Sequence, residues 1–222
     1  MTERRIIVAI DGPAGAGKST IARRVAQKMG AIYVDTGAMY RAVALWAQRN
    51  GIATSDMKSV EKLAEHADIE LVDQRILLNG EDVTHEIRRP EIAQAASEVA
   101  AIPGVRRAMV ALQRDMSEKA SLVMEGRDIG TVVFPDAEVK VFLDARPEER
   151  AQRRAAELEA KGVAVDLADL TRQIAERDHR DRNRDTSPLI QAPDAAFLDS
   201  TGQTLEEVEE QILRLIRQRT SN

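Results

Sequence analysis

The residues Gly12-Pro13-Ala14-Gly15-Ala16-Gly17-Lys18-Ser19 carry the chemistry most directly readable in this chain. The pattern Gly-x-x-x-x-Gly-Lys-Ser lets the backbone wrap until successive N–H groups converge on one anion. A helix that starts at the end of such a loop turns its positive end toward the same oxygens. Lys18 would neutralise the β- and γ-phosphates of a nucleoside triphosphate, and the Ser19 hydroxyl would ligate Mg2+. Residues 12–20, which end on Thr20, form the expected ATP-binding set. Two roles fit Asp11, just before the loop: holding the water shell of the magnesium ion, or capping the turn.

The elements around the loop are those that would position it. Ile6-Ile7-Val8-Ala9-Ile10 is a short apolar run of the kind buried on both faces of a parallel sheet. The stretch 20–29 reads as a helix closed by Gly30. Further strands are expected at 31–34, 121–124, 139–143 and 196–199, and helices at 38–49 and 204–219. The last helix opens on a capping box, Thr204 with Glu207. Alternating strands and helices predict an α/β fold, a five-stranded parallel sheet covered on both faces, with ligands at the carboxyl ends of the strands. Two stretches break the alternation. Residues 68–86 read as short antiparallel strands with an Asn79-Gly80 hairpin turn, followed by a helix at 90–101, which suggests an inserted lobe. Residues 147–184 read as a charged helical hairpin broken at Gly162.

Composition bounds the function classes. A chain of 222 residues supports one sizeable core with a small inserted lobe. With no cysteine, disulfides, thiolate metal sites and cysteine nucleophiles are excluded. No apolar run approaches the roughly 20 residues that span a bilayer, and the N-terminal apolar run is too short for a signal peptide. A cytoplasmic protein without a membrane partner is expected. The formal charge of −5 argues against wholesale nucleic-acid binding while leaving room for a local basic pocket. His66, His85 and His179 show no metal spacing. Nothing demands an oligomer, and a monomer suits a fold with moving lobes.

The loop alone does not separate GTPases, motor ATPases and small kinases. The guanine-reading Asn-Lys-x-Asp segment is absent, and Asp35-Thr36-Gly37-Ala38 fails the Asp-x-x-Gly switch pattern. A remodelling ATPase would need more chain than remains here. A small kinase needs an acceptor anion site and mobile cations over the transferred group.

Candidates for both lie in segments that resemble a known family. Asp35-Thr36-Gly37-Ala38-Met39-Tyr40-Arg41 is similar to the acceptor segment of nucleoside monophosphate kinases. Together with Gly126-Arg127-Asp128-Ile129-Gly130-Thr131, Val132-Val133-Phe134-Pro135-Asp136, Glu176-Arg177-Asp178 and Asp181-Arg182-Asn183-Arg184, the chain resembles the bacterial cytidylate kinases from residue 10 to about 201. The resemblance implies transfer of the γ-phosphoryl group of ATP, with magnesium, to CMP or dCMP. It divides the chain into core at 1–36, 103–148 and 177–222, an acceptor-binding lobe at 37–102 and a lid at 149–176.

By the same resemblance Thr36, Ser97, Arg106 and Asp128 would read cytosine, with Thr36 where Ser is usual. Arg41 and Arg127 would hold the acceptor phosphate, Arg177 and Asp181 the ribose, and Arg184 the phosphates. Lys18, Arg41, Arg127, Arg150, Arg154 and Arg184 form the expected catalytic set, and Ser19 the metal ligand. Read from its residues alone, Ser97 fits ordinary helix packing, and 172–184 fits a solvated helix of alternating charge. Arg150, Arg153 and Arg154 share one helix face, and which of them reaches the transferred group stays open. Two alternatives stand beside the kinase reading: another small P-loop kinase, acting on UMP as well as CMP or on a non-nucleotide acceptor, and a regulatory module that only binds ATP.

Overall fold

The computed structural model describes residues 5–72, 75–160 and 162–220, so the lead 1–4 lies outside the described residues. The chain forms two compact units, one of residues 1–33 and 120–222, the other of residues 34–119.

The expected strands are present: β1 (Ile7–Asp11), β6 (Leu122–Gly126), β7 (Val139–Asp144) and β8 (Ala196–Asp199) in the first unit, and β2 (Ile32–Asp35), whose first two residues belong to the first unit and last two to the second. They form one sheet in the order β2-β6-β1-β7-β8, with parallel pairing of β6 to β1, β1 to β7 and β7 to β8. The register sets Asp11 level with Gly126 on one side and Phe142 on the other. The strand ends that carry Asp11, Gly126 and Asp144 therefore share one edge of the sheet, where ligands bind in such folds.

Helix α1 (Lys18–Met29) buries Ile21, Ala22, Val25 and Ala26 at helical spacing. Helix α8 (Leu205–Thr220) buries Val208, Ile212 and Ile216, and both pack on Val8, Ile10, Val123, Val139, Val141 and Leu143 of the sheet. Gly30 closes α1 in the left-handed conformation, its N–H bonding the carbonyls of Ala26 and Gln27. The capping box at the start of α8 is formed: Thr204 N–H donates to Glu207 Oε2 at 2.8 Å, and Glu207 N–H to Thr204 Oγ1 at 3.2 Å. The charged stretch folds as α6 (Pro147–Glu159) and α7 (Leu167–Asn183). Between β6 and β7 lies a short π-helical turn, Ile129–Val133, to which the sequence reading assigned no element.

In the second unit α2 (Thr36–Arg49) begins two residues earlier than the sequence reading. Asp35 caps it by accepting from Ala38 N–H at 3.0 Å, which draws Thr36 and Gly37 into the first turn. The antiparallel insert is β3 (Ile69–Val72), β4 (Arg75–Leu78) and β5 (Glu81–Asp82). Asn79 and Gly80 turn the hairpin with φ of 52° and 80°, and the two-residue, doubly positive φ is the signature of a type I′ turn. Arg49 clamps this sheet to α2 through both carboxylate oxygens of Glu81 and through Glu86. Three helices complete the unit: α3 (Met57–Glu65), α4 (Pro90–Val99) and α5 (Pro103–Ser117). Helices α3 and α5 were not in the sequence reading, which placed 103–148 with the core; α5 belongs to the compact unit 34–119.

Candidate active site

Residues 12–17 bridge the end of β1 to the start of α1, as the motif requires. A Cβ on Gly12 would lie 2.0 Å from the Leu143 carbonyl oxygen, and its φ is +149°, so no side chain fits there. The loop turns carbonyls outward, and donors meet them: Lys18 Nζ donates to Pro13 O at 2.7 Å, Arg150 to Ala14 O at 2.9 Å, and Ser200 Oγ to Ala16 O at 3.4 Å. Lys18 is buried, while Ser19 and Thr20 stand exposed on the first turn of α1. Burial pulls the Lys18 ammonium down to about 7; Arg127 pushes it the same way and the Glu125 carboxylate opposes.

Asp11 bonds a turn far from it in the chain. Its carboxylate accepts from Ile129 N–H at 2.8 Å and Gly130 N–H at 2.7 Å, fixing the start of the π-helical turn to β1. Burial raises its pKa to about 6, against the pull of those two N–H groups. Asp128, just before that turn, is buried and lies 3.7 Å from an Arg184 terminal nitrogen.

Beside the loop lysine is a cluster built from the end of β6 and from α7. Arg127 Nε donates to Asp181 Oδ2 at 2.8 Å, and its NH1 to the Gly126 carbonyl at 3.2 Å. Burial would raise the Asp181 carboxyl, but Arg127, Arg177 and Arg184 outweigh it and hold the pKa below the usual value. Arg184 is fixed by donating from Nε to Ser187 O at 2.6 Å. Along α7, Ile174, Asp178 and Asp181 are buried and Arg177 half-buried, whereas Arg172, Arg180 and Arg182 are exposed. The segment is therefore neither wholly a solvated helix nor wholly a binding arm: one face turns inward and the other to water.

The second unit holds the remaining expected residues. Arg41 NH2 pairs with Asp35 Oδ2 at 2.8 Å, and its Nε is buried without a hydrogen-bond partner among the described residues. Arg106 is buried, donates to Ala100 O at 3.2 Å and stacks over the Tyr40 ring at 5.6 Å. Thr36 is buried and Ser97 is half-buried on α4.

The three arginines of α6 share a face but not an environment. Arg150 is buried, Arg153 bonds Ser200 through its hydroxyl and carbonyl, and exposed Arg154 pairs with Glu157 at 2.9 Å. Sequence reasoning missed Tyr33, whose hydroxyl donates to Glu125 at 2.6 Å, and Ser200 behind the loop. Neither has a local spacing signal, since the partners are far apart in the chain. Among the described residues no cluster of three or more His, Asp or Glu could hold a metal ion. One exposed hydroxyl, Ser19, is nonetheless a fitting set for magnesium, which keeps several waters and binds through substrate phosphates.

The arrangement can hold a polyphosphate in the loop and present a second cation cluster next to it. The chain matches the family model described as cytidylate kinase over residues 8–218. A cytidylate kinase of Solibacter usitatus (strain Ellin6076) is 57% identical over 222 residues, covering 99% of this chain and 96% of that protein. A cytidylate kinase of Desulforamulus reducens is 53% identical over 216 residues, with 96% and 97% covered. Among solved structures, an uncharacterized protein from Eubacterium ventriosum ATCC 27560 has a similar fold, with a TM-score of 0.56 at 13% identity over 97% of this chain and 99% of that one.

Proposed function

The chain belongs to the cytidylate kinase family, and on that premise we propose that it transfers the γ-phosphoryl group of ATP to CMP or dCMP, giving ADP and CDP or dCDP. The observation that carries the reading is electrostatic. Arg127 follows Gly126, which lies level with Asp11 at the start of the loop, and the charges of Arg127 and Arg177 act on Lys18, so a second cationic site stands beside the first. A phosphate bound at each would lower the repulsion among these cations.

In the donor half, residues 12–20 wrap the triphosphate and Lys18 leaves Pro13 O for its β- and γ-oxygens. Mg2+, held by Ser19 and the nucleotide, supplies further charge neutralisation when bound. In the acceptor half, Arg41 and Arg127 hold the CMP phosphate by planar two-point contacts. Arg177 and Asp181 take the ribose, Arg184 the phosphates, and Thr36, Ser97, Arg106 and Asp128 the base. Asp181 is one of several ribose contacts, which is compatible with deoxyribose. Exposed Arg154 is the helix arginine able to swing onto the transferred group. An acceptor phosphate oxygen is already ionised at neutral pH, so no general base is required and positioning carries the rate.

A cytoplasmic location and a monomeric state belong to the same reading, and no helix of the described residues is long and apolar enough to cross a membrane. The test is a panel of monophosphate acceptors with Mg·ATP. CMP and dCMP should be turned over well ahead of AMP, GMP and sugars. Equal or better use of AMP or a sugar would overturn the reading, and ATP binding without transfer to any acceptor would favour a regulatory module.

A further inference from the structure

Arg150, in the first turn of α6, is one of three arginines of which one or more would be expected to close onto the transferred phosphoryl group. Its surroundings describe a different task. Arg150 is 3% exposed. Its Nε donates to Ala145 O at 2.9 Å, and one terminal nitrogen donates to Ala14 O at 2.9 Å and pairs with Asp178 Oδ2 at 2.6 Å.

We propose that Arg150 is a positioning residue that fixes the outer wall of the phosphate loop and ties it to α7. The inference rests on the reading of residues 12–20 as the ATP site.

Three features carry it. A loop that aims N–H groups at an anion must turn carbonyls the other way, and a partly buried carbonyl needs a donor. Ala14 O, in mid-loop, obtains one from Arg150. The contact is also one of backbones: a Cβ on Gly15 would lie 3.1 Å from both Arg150 Cβ and Arg150 O, so the first turn of α6 lies directly on the loop. The third feature is the counter-charge. Asp178 is buried on α7, its Oδ1 has no hydrogen-bond partner among the described residues, and Arg150 pairs with its Oδ2, while the Arg127 charge also acts on it. On the same helix, Arg177 precedes Asp178 and Asp181 follows one turn later, where it holds Arg127. A single guanidinium thus joins the donor loop to the helix that carries the acceptor-side charges. With Nε and one terminal nitrogen so engaged, Arg150 is held against the loop and α7.

Steady-state rates with both substrates varied, equilibrium ATP binding without acceptor, and melting curves would be measured for wild type, Arg150→Ala, Arg150→Lys, Asp178→Ala and the double alanine variant. Arg150→Ala should weaken ATP binding and raise the KM for ATP by roughly tenfold or more, the size expected for a hydrogen bond made by a charged group. Asp178→Ala, on another helix, should shift ATP binding the same way. The double variant should be no worse than Arg150→Ala alone, because the two residues act through one contact. Arg150→Lys should recover part of the loss.

A fall in kcat with ATP binding unchanged, and with Asp178→Ala behaving as wild type, would overturn the proposal in favour of a phosphoryl contact. Lower melting temperatures with unchanged ATP binding and KM would overturn it in favour of a purely structural pair. Wild type that binds ATP but does not phosphorylate CMP would sink the acceptor assignment alone, since the ATP-binding arm still decides the role of Arg150.

Discussion

Replacing Asp181 by Asn removes one negative charge from a buried basic cluster while keeping shape and one acceptor oxygen. Asp181 is 7% exposed, lies 2.8 Å from Arg127 Nε, and is held ionised by Arg127, Arg177 and Arg184 against the cost of burial. Removing one partner of a buried pair strands the other and costs about 3–5 kcal/mol. The retained oxygen sets the expectation near the low end, about 3 kcal/mol, and for a chain of this size each kcal/mol moves Tm by about 2–4 °C. Asp181→Asn should therefore melt about 6–12 °C below wild type near neutral pH.

The pH dependence follows from the depressed folded pKa of Asp181. Its contribution is present above the unfolded value of about 3.9 and is lost as pH falls through the folded one, so the two melting curves should converge in acid. Added CMP should raise the Tm of the variant by less than that of wild type, because Asp181 is one of the ribose contacts and stabilisation by a ligand follows its affinity. Thermal denaturation across pH, with and without CMP, reads all three effects. A variant that melts within about 1 °C of wild type at neutral pH would refute the charge-balance argument, as would a gap unchanged down to the acid limit.

Gly12→Ala should cost about 3 kcal/mol or more and abolish ATP binding, because its Cβ would meet Leu143 O at 2.0 Å with φ at +149°; a melting curve and a nucleotide titration check it. Asp11 should make wild type lose stability relative to Asp11→Asn between about pH 4 and 6. Its folded pKa is raised to about 6, so over that range the folded state keeps a proton the unfolded chain has released; a stability gap that stays constant with pH would contradict this. Tyr33→Phe removes the hydroxyl that donates to buried Glu125 at 2.6 Å and should cost about 1.5 kcal/mol by chemical denaturation. Arg41→Ala should cut phosphoryl transfer by about a hundredfold or more while leaving ATP binding within about twofold of wild type; an equal loss of ATP binding would break the division into donor and acceptor sites.

What the sequence made legible follows from how local each signal is. The loop, the strands around it, the Asn79-Gly80 turn and the Thr204 capping box are written in neighbouring residues, and each formed. Helix α5 was harder to see because Arg106 occupies its buried face, sheltered by Tyr40 and Ala100, and a charge at that position breaks the apolar period. The π-helical turn depends on Asp11, which reaches its N–H groups from more than a hundred positions earlier. The spacing of Arg150, Arg153 and Arg154 gave their common face correctly. Their separate depths are set by Ala14, Asp178 and Ser200, distant partners invisible to any i,i+4 rule.

The order of strands in the main sheet bears on how the chain reaches this state at all. Residues 34–119 interrupt the first unit, and the central ladder of β1 with β6 pairs Ile7 with Leu122 across that interruption. Closing so long a segment as an open loop is entropically costly and slow. The interruption, however, carries its own hairpin and helices, whose contacts are largely within the unit. Its flanks are stitched together where Ile32 N–H donates to Ser121 O at 2.9 Å. A segment folded first would arrive as a compact body with adjoining ends, and β6 could then enter the sheet between β2 and β1. A pairing of strands far apart in the chain is thereby made a late, short-range step.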